Sequence, residues 1–407
     1  MHCSPWDVAR RYAEASERRV IGLMSGTSVD GVDAVLISIS GCGRATTFRQ
    51  VAFHTEPFPP RLRSEILGLS HGDGNAETVA QANVALAHLF GQAIASLLRS
   101  IPEEERHFDL IASHGQTVSH RPPVPTSQPL TFGRHGATLQ IGDASYLAQR
   151  WGVPVIADFR MADMAVGGQG APLVPFADWC LLTHPERYRA VQNIGGIANV
   201  TYLRADAAPE QLIGFDTGPG NMLIDRAVVH FTRGAATFDR NAAFARKGRI
   251  RHDLLEYLLN DPFLFRSPPK SAGREEFGDG YFRRLLQALP QSDTWFRPES
   301  FHDAIATLTA FTAFSIIDAY ERFLPRMPDE VIVGGGGSRN PFLMDLLRER
   351  LAPASVLTHE EVGIDSDAKE AIAFALLANE TMLGNPSNLP SVTGASRSVC
   401  LGKIALP

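Results

Sequence analysis

Apolar runs of strand length, broken by glycine and small polar residues, recur along the chain in a similar order in each half. The first pair is Val20–Ser25 and Val32–Ile37, joined by Gly26-Thr27-Ser28-Val29-Asp30-Gly31; the second spans Ala190–Tyr202 around Asn193-Ile194-Gly195-Gly196. Each reads as two strands around a tight turn. A third β-rich piece follows from Gly41 to Phe58, then helices over Glu65–Ser70 and Asn75–Arg99, the latter with apolar residues at Val79, Val84, Leu86, Leu89, Phe90, Ile94 and Leu98. A buried strand, Phe108–Ser113, ends in His114-Gly115-Gln116-Thr117. Ser119–Gly136 reads as a surface loop, Leu139–Trp151 as a helix and Val153–Phe159 as a strand. The first half is therefore β-β-β-α-β-α-β.

The stretch Met161–Pro175 is small, glycine-rich and without period, which suits a crossover between domains. The second half restarts with a strand–turn–strand and continues through Gln211–Asn221 into a helix over Met222–Arg233. Helices over Ile250–Leu259 and Phe301–Phe323 come next. A strand from Val331 meets Gly334-Gly335-Gly336-Gly337 ahead of a helix opening at Pro341. Lys369–Thr381 is helical and Val399–Ile404 is β-like. The repeated β-first order implies a duplicated α/β fold. The expected divisions are an extension at 1–18, a first domain over 19–159 with 385–407 as a candidate completion, and a second over 160–384.

At 407 residues two domains are the natural expectation. The composition, 44% hydrophobic and 20% charged, is that of a globular protein, and no apolar run approaches membrane-spanning length. A formal charge of −6 without a Lys/Arg stripe argues against a nucleic-acid partner. Cys3, Cys42, Cys180 and Cys400 lack the spacing of a zinc site or disulfide framework, and Met1–Arg19 lacks the apolar core of a secretory signal; both point to the cytosol.

Candidate chemistry gathers at the turns. Gly26 through Val32 and Asp33 offers hydroxyls, backbone donors and two carboxylates, either as an anion cradle or as an ordinary hairpin corner. Gly334–Gly336 before a helix suits a nucleotide or merely close packing; the dinucleotide fingerprint and the P-loop are absent. Asp216, between a strand and a helix, is a candidate general base or a helix cap. His114 and Gln116 could bond a polar substrate, and Arg160 could clamp an anion or form a surface ion pair. Lys270 and Arg274 lie in a turn that either meets an anion or is a solvated loop. Ser366-Asp367-Ala368-Lys369 has Ser-x-x-Lys spacing without its companion elements; the adjacent Glu370 is the more interesting carboxylate.

Several segments, in order, closely resemble the anhydro-N-acetylmuramic acid kinase family: Gly22–Asp33, Ser113–Thr117, Ala157–Arg160, Gly167–Pro175, Asn193–Gly196, Gly214–Asn221, Pro269–Phe277 and Gly334–Gly337. The resemblance runs from about residue 20 to the C-terminus. It implies two ribonuclease-H-like domains of the actin, Hsp70 and sugar-kinase superfamily around a central nucleotide and substrate cleft. It implies an ATP-dependent enzyme, aided by Mg²⁺, that opens the anhydro ring of its amino-sugar substrate with water and phosphorylates O6. By motif, Gly26–Asp33, with Asn193, Gly195, Gly196 and Gly334–Gly336, would hold ATP. Asp216 would activate water, and His114, Gln116, Arg160 and Glu370 would meet the sugar. The resemblance also implies a homodimer. Metal ligands are not assigned. Another sugar kinase of the superfamily, or a non-catalytic ATP-binding module, is the alternative.

Overall fold

The structure, a computed structural model, describes residues 4–122, 136–287 and 295–407. It divides into two compact units, 1–182 with 367–407, and 183–366.

In unit 1, β1 (Arg18–Ser25), β2 (Gly31–Ser40) and β3 (Thr47–Pro57) form an antiparallel meander. Helices α2 (Pro60–His71) and α3 (Ala76–Arg99) carry the chain back to β4 (Leu110–Arg121), parallel to β1. Then follow β5 (Ala137–Ile141), α4 (Ala144–Trp151) and β6 (Val155–Ala157), the last parallel to β4. The sheet order is β12-β6-β4-β1-β2-β3, where β12 (Lys403–Ala405) pairs antiparallel with β6 and β5 branches from β4. A helix α1 (Pro5–Glu14) precedes the sheet, and α5 (Phe159–Ala165) and α6 (Val174–Leu182) close the first segment.

Unit 2 repeats the plan. Strands β7 (Arg189–Ile194), β8 (Ile197–Leu203) and β9 (Ile213–Pro219) form the meander, and β10 (Glu330–Gly334) and β11 (Ser355–Thr358) add in parallel, giving the order β11-β10-β7-β8-β9. Between β9 and β10 lie α7 (Met222–Thr232), α8 (His252–Leu259), α9 (Arg274–Phe277), α10 (Asp279–Gln287) and α11 (Phe301–Phe323); α12 (Pro341–Leu351) joins β10 to β11. Strand for strand, β3-β2-β1-β4-β6 matches β9-β8-β7-β10-β11 in order and sense. This is the duplicated ribonuclease-H-like α/β fold that the resemblance implies.

The division of the chain differs from the expected one. Boundaries at 159/160 and 384/385 fall instead at 182/183 and 366/367. The reason is α13 (Lys369–Met382), which packs across β1, β2 and β4 and against α6. The approach is so close that a Cβ at Gly22 would overlap the Ala371 carbonyl oxygen. α5, α6 and α13 are thus part of unit 1. The extension at 1–18 carries a helix, α1, and is tied to unit 1. Arg18 opens β1, and Tyr12 on α1 donates to Asn379 Oδ1 of α13 at 3.0 Å.

Four smaller expectations change. Leu139–Trp151 is not one helix: Ala137–Ile141 alternates in exposure and pairs with β4, and Asp143, accepting from the Tyr146 amide at 2.8 Å, starts α4 only afterwards. His114–Thr117 lies within β4, because the strand parts from β1 after Gln116 and runs on beside β5. The Ser119–Gly136 loop begins as strand up to Arg121, and its 123–135 portion is outside the described residues. One span, Pro298–Phe323, is long and apolar enough to cross a membrane, contrary to the composition reading. Its helix, α11, is the central helix of the unit 2 core, with both faces packed against β9, α7, α8 and α12, which is why its sequence is apolar all round.

Replacing Gly22 by Ala forces α13 off β1. A loss of about 1–3 kcal/mol is expected, seen as a lower midpoint in thermal or urea denaturation; an unchanged midpoint refutes the tight approach.

Candidate active site

The β1–β2 turn of unit 1 has four of its carbonyl groups occupied, those of Gly26, Ser28, Val29 and Asp30. Gly26 O accepts from the Val29 amide (3.2 Å) and from Gln116 Nε2 (3.3 Å). Arg63 on α2 donates to Ser28 O (3.1 Å) and Val29 O (3.0 Å) and pairs with Asp30 Oδ1 (3.1 Å). Asp30 O accepts from the Phe58 amide (3.3 Å). Thr27 and Ser28 are exposed, and their amides have no partner among the described residues. With the carbonyls of Gly26, Ser28, Val29 and Asp30 engaged, the turn presents the N–H edge of Thr27 and Ser28, which is the electrostatics of an anion site. Gln116 is fully buried beneath this turn, with Oε1 accepting from Ser25 Oγ at 2.5 Å, so it shapes the turn from below. Asp33 accepts from Thr55 Oγ1 at 2.6 Å.

On the same sheet, His114 is buried, with Nδ1 against Gly115 O (2.8 Å) and Nε2 facing Arg160 Nε (3.1 Å) and Nη2 (2.8 Å). Burial and the Arg160 charge hold its pKa well below the usual value, so the imidazole is neutral and Nε2 is the acceptor. Arg160, at the start of α5, also donates to Gly170 O (2.8 Å). Burial pulls its pKa down to about 10, with Glu370 opposing. It is no surface ion pair but a guanidinium set in place by a neutral histidine. Glu370 sits in the first turn of α13. It stays accessible, yet desolvation raises its carboxyl above the usual range while Lys369 and Arg160 pull it down. Lys369 itself is half-buried against Asp178 at 2.8 Å.

Asp163 organises the glycine-rich stretch behind Arg160. Fully buried, it accepts from the Gly170 amide (2.8 Å), Asn388 Nδ2 (2.7 Å) and Thr393 Oγ1 (2.7 Å), tying the 167–170 loop to the C-terminal segment.

In unit 2 three glycine segments converge. The Gly195 and Gly196 carbonyls accept from the amides of Asn221 (2.7 Å), Gly220 (2.9 Å) and Met222 (3.2 Å), which docks the β7–β8 turn on the start of α7. Gly335, at φ 76°, passes so near β7 that a Cβ there would lie 2.6 Å from Asn193 Oδ1. The Gly334 flank is covered by the buried His359 ring. Beside this junction is a cavity of about 540 Å³ lined by Asn221, Asp225, Phe238, Arg240, Gly336 and Arg339, among others. Phe238 is half exposed, with Arg240 over its ring at 5.3 Å. Asp225 is pushed up to about 7 by burial, with Asp239 adding to the shift.

Asp216 lies inside β9 and does not cap α7. Its amide donates to Lys270 O (3.1 Å) and its Oδ2 accepts from the Ala272 amide (2.7 Å); Oδ1 has no partner among the described residues. Burial raises its pKa to about 6, against the Ala272 hydrogen bond and the Lys270 charge. A carboxylate of that basicity with one free oxygen is suited to take a proton near neutral pH. Lys270 is not on a solvated loop: its side chain is buried. The side chain of Arg274 is outside the described residues. Among the described residues no group of three His, Cys, Asp or Glu is placed to hold a metal ion.

The sequence profile described as anhydro-N-acetylmuramic acid kinase matches residues 18–407. Proteins named anhydro-N-acetylmuramic acid kinase are similar to this chain along nearly its whole length. That of Acaryochloris marina is 47% identical, over 95% of this chain and 99% of its own. That of Caldanaerobacter subterraneus subsp. tengcongensis is 41% identical, over 97% and 99%. The chain belongs to the anhydro-N-acetylmuramic acid kinase family. Among solved structures, component A of the (R)-2-hydroxyglutaryl-CoA dehydratase of Acidaminococcus fermentans is 12% identical, over 90% of this chain and 99% of its own, at a TM-score of 0.42. That likeness is too slight to bear on the fold, which rests on the strand order.

As a member of the anhydro-N-acetylmuramic acid kinase family, the chain brings His114, Arg160 and Glu370 into one electrostatic group and Asn193, Gly195, Gly196 and Gly334–Gly336 into one junction. Arg63, Asp163 and the Phe238–Asn241 pocket wall were missed in the sequence. An arginine in the first turn of α2, more than thirty residues beyond the turn it holds, carries no motif, whereas an acidic residue amid Met161–Gly170 was a readable sign of a loop organiser. Replacing Asp163 by Asn leaves one of its three donors opposed by an amide. A loss on the order of 3 kcal/mol is expected, measured by denaturation; wild-type stability refutes the role.

Proposed function

We propose that this chain uses ATP and water to convert 1,6-anhydro-N-acetylmuramate into N-acetylmuramate 6-phosphate and ADP, a phosphoryl transfer to an alcohol oxygen in the recycling of bacterial cell-wall sugar. Membership of the family over residues 18–407 supports the substrate. The observation that carries the chemistry is Asp216, a carboxylate raised to about 6 with Oδ1 free.

Asp216 takes a proton from water as the water oxygen bonds to C1 and the C1–O6 bond breaks. O6 then bonds to the γ-phosphorus, and the bond from that phosphorus to the β–γ bridging oxygen breaks, releasing ADP. No further base is needed, because the leaving oxygen is the phosphoryl acceptor. The Thr27 and Ser28 amides support the reading that the Gly26–Asp33 turn cradles phosphate oxygens as their charge grows. The cavity beside Gly336, with its exposed Phe238 ring, suits the base of the nucleotide. Mg²⁺ would arrive on the ATP phosphates, which with water supply most of its ligands, and Asp30 and Asp33 are the acidic groups of the turn that would face it; bound there, it neutralises phosphate charge. Arg160, steadied by His114, and Glu370 would meet the carboxylate and polar groups of the sugar. A cytosolic homodimer completes the reading, the compartment on the cysteine pattern and the dimer on the family resemblance alone.

In H₂¹⁸O, turnover of the anhydro-sugar is expected to place the label at C1 with release of ADP. Activity only on free sugar hydroxyls, or ATP binding without sugar-stimulated ADP release, overturns the assignment. Asp216→Asn is expected to lower kcat by about 10²- to 10⁴-fold with ATP binding retained in a calorimetric titration. Because the ionised carboxylate is the active form, kcat/KM is expected to fall as pH drops through about 6; a flat profile from pH 5 to 7 contradicts the assignment.

A further inference from the structure

Lys270 is only 7% exposed, and among the described residues its ammonium makes no ion pair. It donates to the carbonyls of Leu264 (3.2 Å) and Phe263 (3.5 Å). It also lies 4.5, 4.9 and 5.8 Å from the ring centres of Phe323, Phe263 and Phe215. Lysine is rarely buried without a carboxylate, and a box of three rings is an arrangement that holds a cation by its quadrupoles. The main chain of the same residue touches Asp216. Lys270 O accepts the Asp216 amide (3.1 Å), and two residues on, the Ala272 amide donates to Asp216 Oδ2 (2.7 Å). The strap 270–272 therefore grips Asp216 at backbone and side chain, and the lysine side chain is the strap's anchor in the core.

We propose that Lys270 is a positioning residue for the reaction: its caged ammonium fastens the strap so that the Ala272 amide stays on Asp216 Oδ2, which aims Oδ1 and favours the ionised carboxylate. The inference rests on Asp216 being the base. The ammonium points at carbonyls and rings, so it does not itself touch substrate. Burial lowers its pKa to about 8; Asp318 and Asp216 oppose that shift, and Arg322 and Arg266 reinforce it. It is thus still largely charged at neutral pH. Of the charged groups around Asp216, Lys270 is the one that stabilises its anion.

Lys270→Met tests this, since methionine keeps an unbranched apolar stem that packs on aromatic rings. Relative to wild type, folding by circular dichroism and ATP binding are expected to hold, with KM for the sugar within about twofold. Without the charge and the anchored amide, kcat is expected to fall about tenfold and the acid limb of its pH profile to move up by about 0.5–1 unit. Lys270→Arg is expected to restore part of both. An unmoved acid limb and wild-type kcat in K270M overturn the inference yet leave Asp216 as base; undiminished turnover in Asp216→Asn removes the base assignment itself. Should K270M not accumulate as folded protein, Phe323→Leu opens the cage with the lysine intact. It must shift the acid limb in the same direction, and an unmoved limb there also overturns the inference.

Discussion

The chemistry of this fold depends on what happens to main-chain carbonyls at its turns. A tight turn has an electronegative and an electropositive edge, and left alone it offers a ligand both. Here four oxygens of the β1–β2 turn are taken by Arg63, Gln116, Val29 and Phe58, and those of Gly195 and Gly196 in the β7–β8 turn by the amides of Gly220, Asn221 and Met222 that lead into α7. In the first turn this leaves the exposed Thr27 and Ser28 amides free to donate, beside the Asp30 carboxylate held by Arg63. A chain of net charge −6 can in this way present a local surface fit for anions without a cluster of lysines.

The same economy of side chains appears around the titratable groups. Burial shifts His114, Arg160, Asp216 and Lys270 in the direction of their neutral forms; neighbours oppose the shift at Arg160 and Asp216, the Arg160 charge adds to it at His114, and at Lys270 they pull both ways. For His114 the outcome is a neutral acceptor that holds a guanidinium. For Asp216 it is a carboxylate more basic than in water yet still mostly ionised at neutral pH. Partial desolvation, countered by one amide and one ammonium, sets the basicity that proton removal from water requires.

Much of this was legible in the sequence, and what was not has physical causes. Strand–glycine–strand units, the amphipathic Asn75–Arg99 segment and the apolar Phe301–Phe323 segment report on local contacts, and they appear with nearly those bounds. Unit boundaries depend on where a later helix docks, and nothing local in Lys369–Met382 says that it will cover β1; only the bare Gly22 hints at a close neighbour. Lys270 misled because lysine normally marks solvent, and the rings that enclose it come from positions 215, 263 and 323. Motif residues were found because order along the chain preserves them. Their supports, Arg63 and Asp163, come from tertiary packing and leave no spacing to read.

Because α13 and β12 belong to unit 1, that unit is written in two pieces with unit 2 inserted between them. During synthesis the second unit has all of its own strands once residue 366 has emerged from the ribosome. The first must wait, with the Gly22 face of its sheet uncovered, until the last forty or so residues arrive. The segment 367–407 therefore acts as the clasp on the part of unit 1 that was translated first.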